Sequence, residues 1–386
     1  MPSATGSYTP RPRPISPHAL KRAIPDTHMK NFSLTLLGLL AAPLLLSALP
    51  TRDTLSFAPA RGASISMTYE VINEMSMDDM AVLINGEENP MMPSIEMNMV
   101  TTNEFQFTDV YESMADGQPL RMQRTFETIK IDLSGETVMD MMGDTQEEEL
   151  AGEGSSALEG LTVLFNLKDG EYQKTWPKDE EGNDELLEGL VEDVSLRTLL
   201  STEEVAEGES WDIDPKALIE LLAPGGNLAM DLEMTGGEDA MNMGPDADMM
   251  SNMREMLSGE LEGTFTGKLS GYREVEGTRL AVIELEIEID CTTDMVDQFR
   301  EQMEESLPPE AGIEMDVSSV DVSYVFEGSG ELLWDASSGH VAGLTMEAET
   351  AMSMEMMIGM DAGGQQMDME MSMEMSGIIR VEVGVK

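Results

Sequence analysis

The sequence predicts an α+β protein in which strands dominate: two curved antiparallel sheet halves, open-barrel-like, with helices packed on them. Two observations carry that prediction. Apolar residues recur at every second position over long stretches, which places one set of side chains on each face of a strand. Apolar spacing of three to four, the mark of a helix, is confined to a few short segments between those stretches.

The carboxyl end is the clearest case. In QQMDMEMSMEMSG, Met367, Met369, Met371, Met373 and Met375 alternate with Asp368, Glu370, Ser372 and Glu374, and the same phase continues through Gly377, Ile379, Val381, Val383 and Val385. The methionine run is therefore the first half of one strand whose second half uses ordinary aliphatics, with Gly377 expected to bend or bulge it. The segment before it mirrors the pattern, with Leu344, Met346, Ala348, Met352, Met354, Met356, Ile358 and Met360 in one phase. Pairing Met360 with Met367 puts Met356 opposite Met371, Met354 opposite Met373 and Met352 opposite Met375, and every apolar residue then shares a face.

Further back, Val320, Val322, Tyr324, Phe326, Leu332 and Trp334 form another strand, ending at the turn DASSGH. AVIELEIEIDC alternates Ile283, Leu285, Ile287, Ile289 and Cys291 with acids, and Phe265, Leu269 and Val275 lie on its partner across Gly277. Between these pairs, Met295, Phe299, Met303 and Leu307 recur every four residues, predicting a helix with Thr293 as its cap and Pro308 and Pro309 as its stop. Residues 259–386 thus read as β-β-α-β-β-β.

The amino-terminal half, residues 61–226, repeats the theme. Ile65 to Met77, Ile95 to Phe107 and Leu120 to Leu133 alternate, and LTVLFNLKDGEYQKTW reads as a hairpin across Asp169-Gly170. Helical segments are expected near 184–200 and over Pro215 to Leu222, the second capped by Asp214 and ended by Gly225-Gly226. Residues 227–258 read as a methionine-rich linker with a short helix, carrying Met249, Met250, Met253 and Met256.

Two segments stand outside this fold. Residues 1–28 are proline-rich and basic, disordered or a mis-assigned start. Residues 29–50, MKNFSLTLLGLLAAPLLLSALP, have the basic start, apolar run and small-residue end of a signal peptide, with cleavage after Ala48 or after Ala60. The expected protein is exported to the periplasm, the cell envelope or the medium, with no membrane span in its mature chain. Cys291, the one cysteine, rules out an internal disulfide.

The formal net charge is −53, and without residues 1–60 it is about −57. Such a surface repels nucleic acid and anionic lipid, so a nucleic-acid partner is excluded. It attracts cations, but no stretch has the alternating carboxylates and central glycine of a calcium loop.

Chemistry-bearing constellations are scarce. His340 is the one histidine beyond the signal segment, and nothing near it resembles a nucleophile elbow. One His and one Cys cannot make a zinc site. No glycine-rich phosphate loop opens a helix. The expectation is a non-enzymatic protein with no cofactor, an uncharacterised hydrolase using His340 being the third choice. The methionines offer two sharper readings. As soft thioethers, Met250, Met253, Met256, Met367, Met369 and Met371 could handle copper(I). As flexible apolar side chains, Met352, Met354, Met356, Met367, Met369, Met371, Met373 and Met375 could line a deformable face for an apolar ligand or an envelope protein. Reversible sulfoxidation of exposed methionines is a further reading.

Val205, Gly208 and Trp211, in V-x-x-G-x-x-W, and Gly328, Gly330, Trp334, Asp335 and Gly339, in a late hairpin, resemble two landmarks of an uncharacterised family of exported bacterial β-rich proteins. That family is similar to the open-barrel lipoprotein carriers of the envelope, in which a curved sheet wraps a helix. The resemblance implies an acyl-chain carrier without catalytic residues. This chain lacks the cysteine that tethers lipid-anchored members.

Overall fold

The computed structural model describes residues 52–88, 94–141, 144–178, 182–235, 257, 259–300, 313–362 and 365–386. The expected signal peptide, most of the methionine-rich linker and the end of the helix after Met295 lie outside them. Among the described residues there are sixteen strands. In chain order they are β1 (Arg52–Asp53), β2 (Ser64–Ile84), β3 (Glu87–Glu88), β4 (Ser94–Ala115), β5 (Gln118–Met141), β6 (Asp144–Ser156), β7 (Thr162–Lys168) and β8 (Glu171–Thr175). There follow β9 (Val205–Ala206), β10 (Ser210–Ile213), β11 (Met230–Thr235), β12 (Glu260–Val275), β13 (Thr278–Asp294), β14 (Ile313–Asp335), β15 (His340–Ala362) and β16 (Gln365–Val385).

Six of these strands run for 21–24 residues. At ~3.4 Å per residue each spans about 70–80 Å, several times an ordinary strand. One antiparallel sheet joins them in the order β10-β12-β13-β14-β15-β16-β2-β4-β5-β6-β11, with β7 on β5 and β8 on β7. The connections follow from local turn chemistry. Asn85-Gly86, Asp116-Gly117, Asp169-Gly170 and Glu276-Gly277 each put two successive residues at positive φ, the conformation that a two-residue hairpin needs.

The expectation of two sheet halves is corrected here. β16 pairs with β2 from Met369↔Ile84 to Val385↔Met67, so the first and last long strands lie side by side in the middle of one sheet. Leu49–Lys386 accordingly make one compact unit.

The expectation of packed helices is corrected as well. Residues 184–200 form only 3₁₀ turns at Asp184–Leu187 and Arg197–Leu199. Between them Gly189 and Leu196 take positive φ, which no helix tolerates. Their leucines are buried, but as an irregular segment laid on the sheet: Leu190, Leu196 and Leu199 join the main core. α1 (Ala217–Leu222) is shorter than expected, with Lys216 N donating to Asp214 Oδ1 at 3.0 Å and Gly225 at φ 83° beyond it. Residues 296–300 are helical; Asp294, not Thr293, caps them, accepting from Val296 N at 3.0 Å.

What holds the irregular segment down is a buried ion pair. Arg124 on β5 and Asp109 on β4 are both 0% exposed, with Nε to Oδ1 at 2.8 Å and Nη2 to Oδ2 at 2.7 Å. Nη1 donates to the carbonyl of Val191 at 2.9 Å and Nη2 also to that of Glu192 at 2.6 Å, and the rings of Phe107 and Phe165 lie 5.4 Å away. Tyr69 Oη donates to Val194 O, and Tyr111 Oη to Asp109 Oδ2 at 3.3 Å. Burial, followed by the nearby carboxylates, pushes both phenols well above their ordinary range. One edge of the guanidinium is thus held by Asp109, and its other donors fix one stretch of coil.

The segment before β2 is also integral. Leu55 and Phe57 are 2% and 3% exposed in the main core, Ala58 N donates to Gly339 O at 2.8 Å, and Tyr272 Oη donates to Asp53.

Arg124→Ala leaves the buried Asp109 carboxylate without its counter-charge and takes the donor from two carbonyls, and is expected to lower unfolding free energy by about 3–5 kcal/mol in a denaturant titration. Arg380→Ala, which breaks surface pairs to Glu74 and Glu347, should barely move the midpoint.

Candidate functional site

The final hairpin pairs Met360↔Met367, Met356↔Met371, Met354↔Met373 and Met352↔Met375, the register the alternation predicts. Its methionines therefore share one face, called inner here because the same face of the sheet carries the core. Met354, Met356 and Met375 are buried, at 7%, 7% and 5% exposure, while Met352, Met367, Met369, Met371 and Met373 are half-buried. Met250, Met253 and Met256 lie outside the described residues.

The face extends beyond that hairpin. Met375 pairs with Met77 and Met373 with Met80, so β2 adds a third strand of thioethers. Met77 and Met80 cannot share a face in a regular strand, since they lie an odd number of positions, three, apart. A bulge resolves this: the register shifts between Glu374↔Asp79 and Met375↔Met77, leaving Asp78 as the extra residue. The doublet Asp78-Asp79 thereby stays exposed while Met80, Val82 and Ile84 stay in phase with Met373, Met371 and Met369. A second bulge, at Ser318 on β14, keeps Val317 and Val320 together inside opposite Ile358 and Met356, and leaves Met357 outside at 46% exposure.

Gly377, expected to bend β16, sits in regular register between Thr350 and Met75. Its role is close approach, because a Cβ there would lie 1.9 Å from Glu74 O.

Along the strands the inner face changes character. At the end of β15 and β16 nearest His340 and Val385 it is aliphatic and aromatic, joined to the main core through Val341, Leu344, Val381 and Val383. At the other end a smaller cluster of Met295, Val317, Val320, Val322, Met354, Met356 and Ile358 lies under residues 295–299, with Met369, Met371 and Met373 packed at its margin. Between the two ends lies a polar seam on β2 and β4. Asn73 faces Thr101 across the strands, Asn103 faces Val71, and Asn73 Oδ1, Thr101 Oγ1 and Asn103 Oδ1 are buried without a hydrogen-bond partner among the described residues. Thr350, on the same face, gives its hydroxyl to Met75 Sδ at 3.2 Å.

His340 Nδ1 lies 2.6 Å from Val341 O in the β14–β15 turn. Asp335 opposite accepts from Ser337 Oγ at 2.6 Å and from the amides of Ser337 and Ser338 at 2.8 and 3.1 Å. Burial pushes the Asp335 carboxyl up, but these hydrogen bonds outweigh it and hold the group at about 2. Cys291 is buried on the inner face, its Sγ 3.8 Å from Thr293 Oγ1, and burial pushes its thiol up. Among the described residues no three His, Cys, Asp or Glu side chains are grouped to hold a metal ion, and no helix is long and apolar enough to cross a membrane.

The landmark residues are structural too. Trp334 is fully buried beside Phe57, and a Cβ on Gly328 would meet Ala348 at 2.5 Å. Trp211 Nε1 donates to Leu199 O at 3.0 Å, and its ring fills the space over Gly267. The chain matches no protein-family model, and no curated protein matches it.

Sequence reading missed Met77 and Met80 as partners of the hairpin, and missed the polar seam. The Asp78-Asp79 doublet was the available signal for the bulge. Deleting Asp78 is expected to turn Met80, Val82 and Ile84 to the polar face and to lower the thermal midpoint more than Asp78→Ala, which keeps the bulge. The low pKa of Asp335 is stability present above the unfolded value of about 4 and lost as pH falls towards 2. Asp335→Asn should therefore flatten the acid side of the stability profile in that window.

Proposed function

We propose that this protein is an exported, acidic, non-enzymatic carrier or interaction module that holds an apolar chain against the methionine-lined inner face. The observation that carries the reading is the half-burial of Met352, Met367, Met369, Met371 and Met373 on a face that, further along the same strands, is covered by aliphatic core. A surface made only for packing would be covered throughout. Methionine suits a ligand of variable shape, because its unbranched thioether re-packs at little cost. The partnerless oxygens of Asn73, Thr101 and Asn103 offer acceptors to a polar end of such a chain.

Export rests on residues 29–50 and acidity on the net charge. Of the two cleavage points, only that after Ala48 retains Leu55 and Phe57 in the core.

The test is titration of residues 49–386 with an apolar dye whose fluorescence rises in a hydrophobic site. Saturable binding at micromolar protein, reversed by a long-chain alcohol, is expected. Met369→Asp with Met371→Asp should abolish it. Dye response without saturation, or saturation untouched by the double variant, would count against the reading.

A further inference from the structure

The register places thioethers side by side on three neighbouring strands. Met352, Met375 and Met77 occupy one cross-strand row, and Met354, Met373 and Met80 the next on the same face. Directly paired side chains stand about 4.5–5.5 Å apart at Cβ, and methionine adds three rotatable bonds. The sulfurs of the two flanking strands can therefore converge over the middle one without moving the backbone. Elsewhere the row composition differs: Met371 is flanked by Met356 and Val82, and Met369 by Ile358 and Ile84. Only the two rows named present a thioether from each of β15, β16 and β2. The bulge at Asp78 is what completes the second row, since without it Met80 would face the other way.

We propose that these two rows form a soft-cation site, in which three neutral thioethers from adjacent strands bind copper(I) or silver(I). Thioether sulfur is a ligand of soft monovalent copper, whereas hard cations select carboxylates. Met352, Met77, Met80 and Met373 are half-buried, so the cation need not enter a sealed core. The net charge of −53 concentrates cations at the surface and offsets the lack of an anionic ligand. The site differs from the sequence-based copper candidates: Met367, Met369 and Met371 sit beside it, but in rows that lack a third thioether or a third strand. It does not depend on the carrier reading.

The test is anaerobic competition for copper(I) against bicinchoninate, repeated with silver(I) by calorimetry. The wild-type chain is expected to withdraw copper(I) from the chelator, and Met373→Leu with Met375→Leu to weaken binding about tenfold or more. Met367→Leu with Met369→Leu should leave affinity within about twofold, and Cys291→Ser should leave it unchanged. Methionine-to-leucine exchanges conserve volume, so thermal midpoints report that each variant folds. Should the double variant unfold, Met80→Leu alone probes the second row from its rim. Equal affinity in wild type and the 373/375 variant, equal loss in the 367/369 variant, or loss only with Cys291→Ser would each overturn the site.

Discussion

Everything in this structure depends on one constraint: across strands of 21–24 residues, the apolar side chains must stay on one face. A single slip of register would move a whole strand's apolar set into water. The chain meets the constraint by placing an extra residue wherever its own pattern loses phase. Asp78 does so on β2, Ser318 on β14, Ala342 between Val341 and Leu344 on β15, and Glu127 between Phe126 and Ile129 on β5. At each bulge two inward-facing residues lie three positions apart.

The second constraint is cover. A sheet this long has more inner face than its short helices can shield, and the chain covers one end with coil. Coil brings polar backbone into the interior, and the Arg124–Asp109 pair absorbs it by spending its free protons on the carbonyls of Val191 and Glu192. The other end receives Met295, residues 296–300 and methionine. Flexible side chains suit that end because they can meet one another, a ligand chain or a soft ion without a fixed jigsaw.

Much of the fold was legible in the sequence. The register of the last hairpin followed from phase together with the turn at 361–366, because phase forbids a slip by one residue and the turn sets which of the remaining pairings forms. Asp169-Gly170 and Gly277 marked their turns by chemistry. What failed depended on distant partners. The 184–200 segment has leucines at helical spacing, yet Arg124 on β5 takes its carbonyls at Val191 and Glu192 and Tyr69 on β2 takes that of Val194, and these tertiary contacts overrode propensity. The pairing of β16 with β2 joins opposite ends of the chain, and no local signal announces it. For the candidate site, the hairpin methionines were legible and their neighbours on β2 were not, because the bulge that aligns Met80 hides in an acidic doublet.

The most direct test of the one-sided face uses the native methionines as reporters. Brief hydrogen peroxide treatment followed by peptide mass spectrometry ranks each residue by accessibility, since sulfoxidation needs contact with the oxidant. Met357, outside at 46% exposure, should oxidise well ahead of its neighbours Met354 and Met356 and of Met375, at 7%, 7% and 5%. Equal rates at Met354, Met356 and Met357 would show that the strands keep no common inner face.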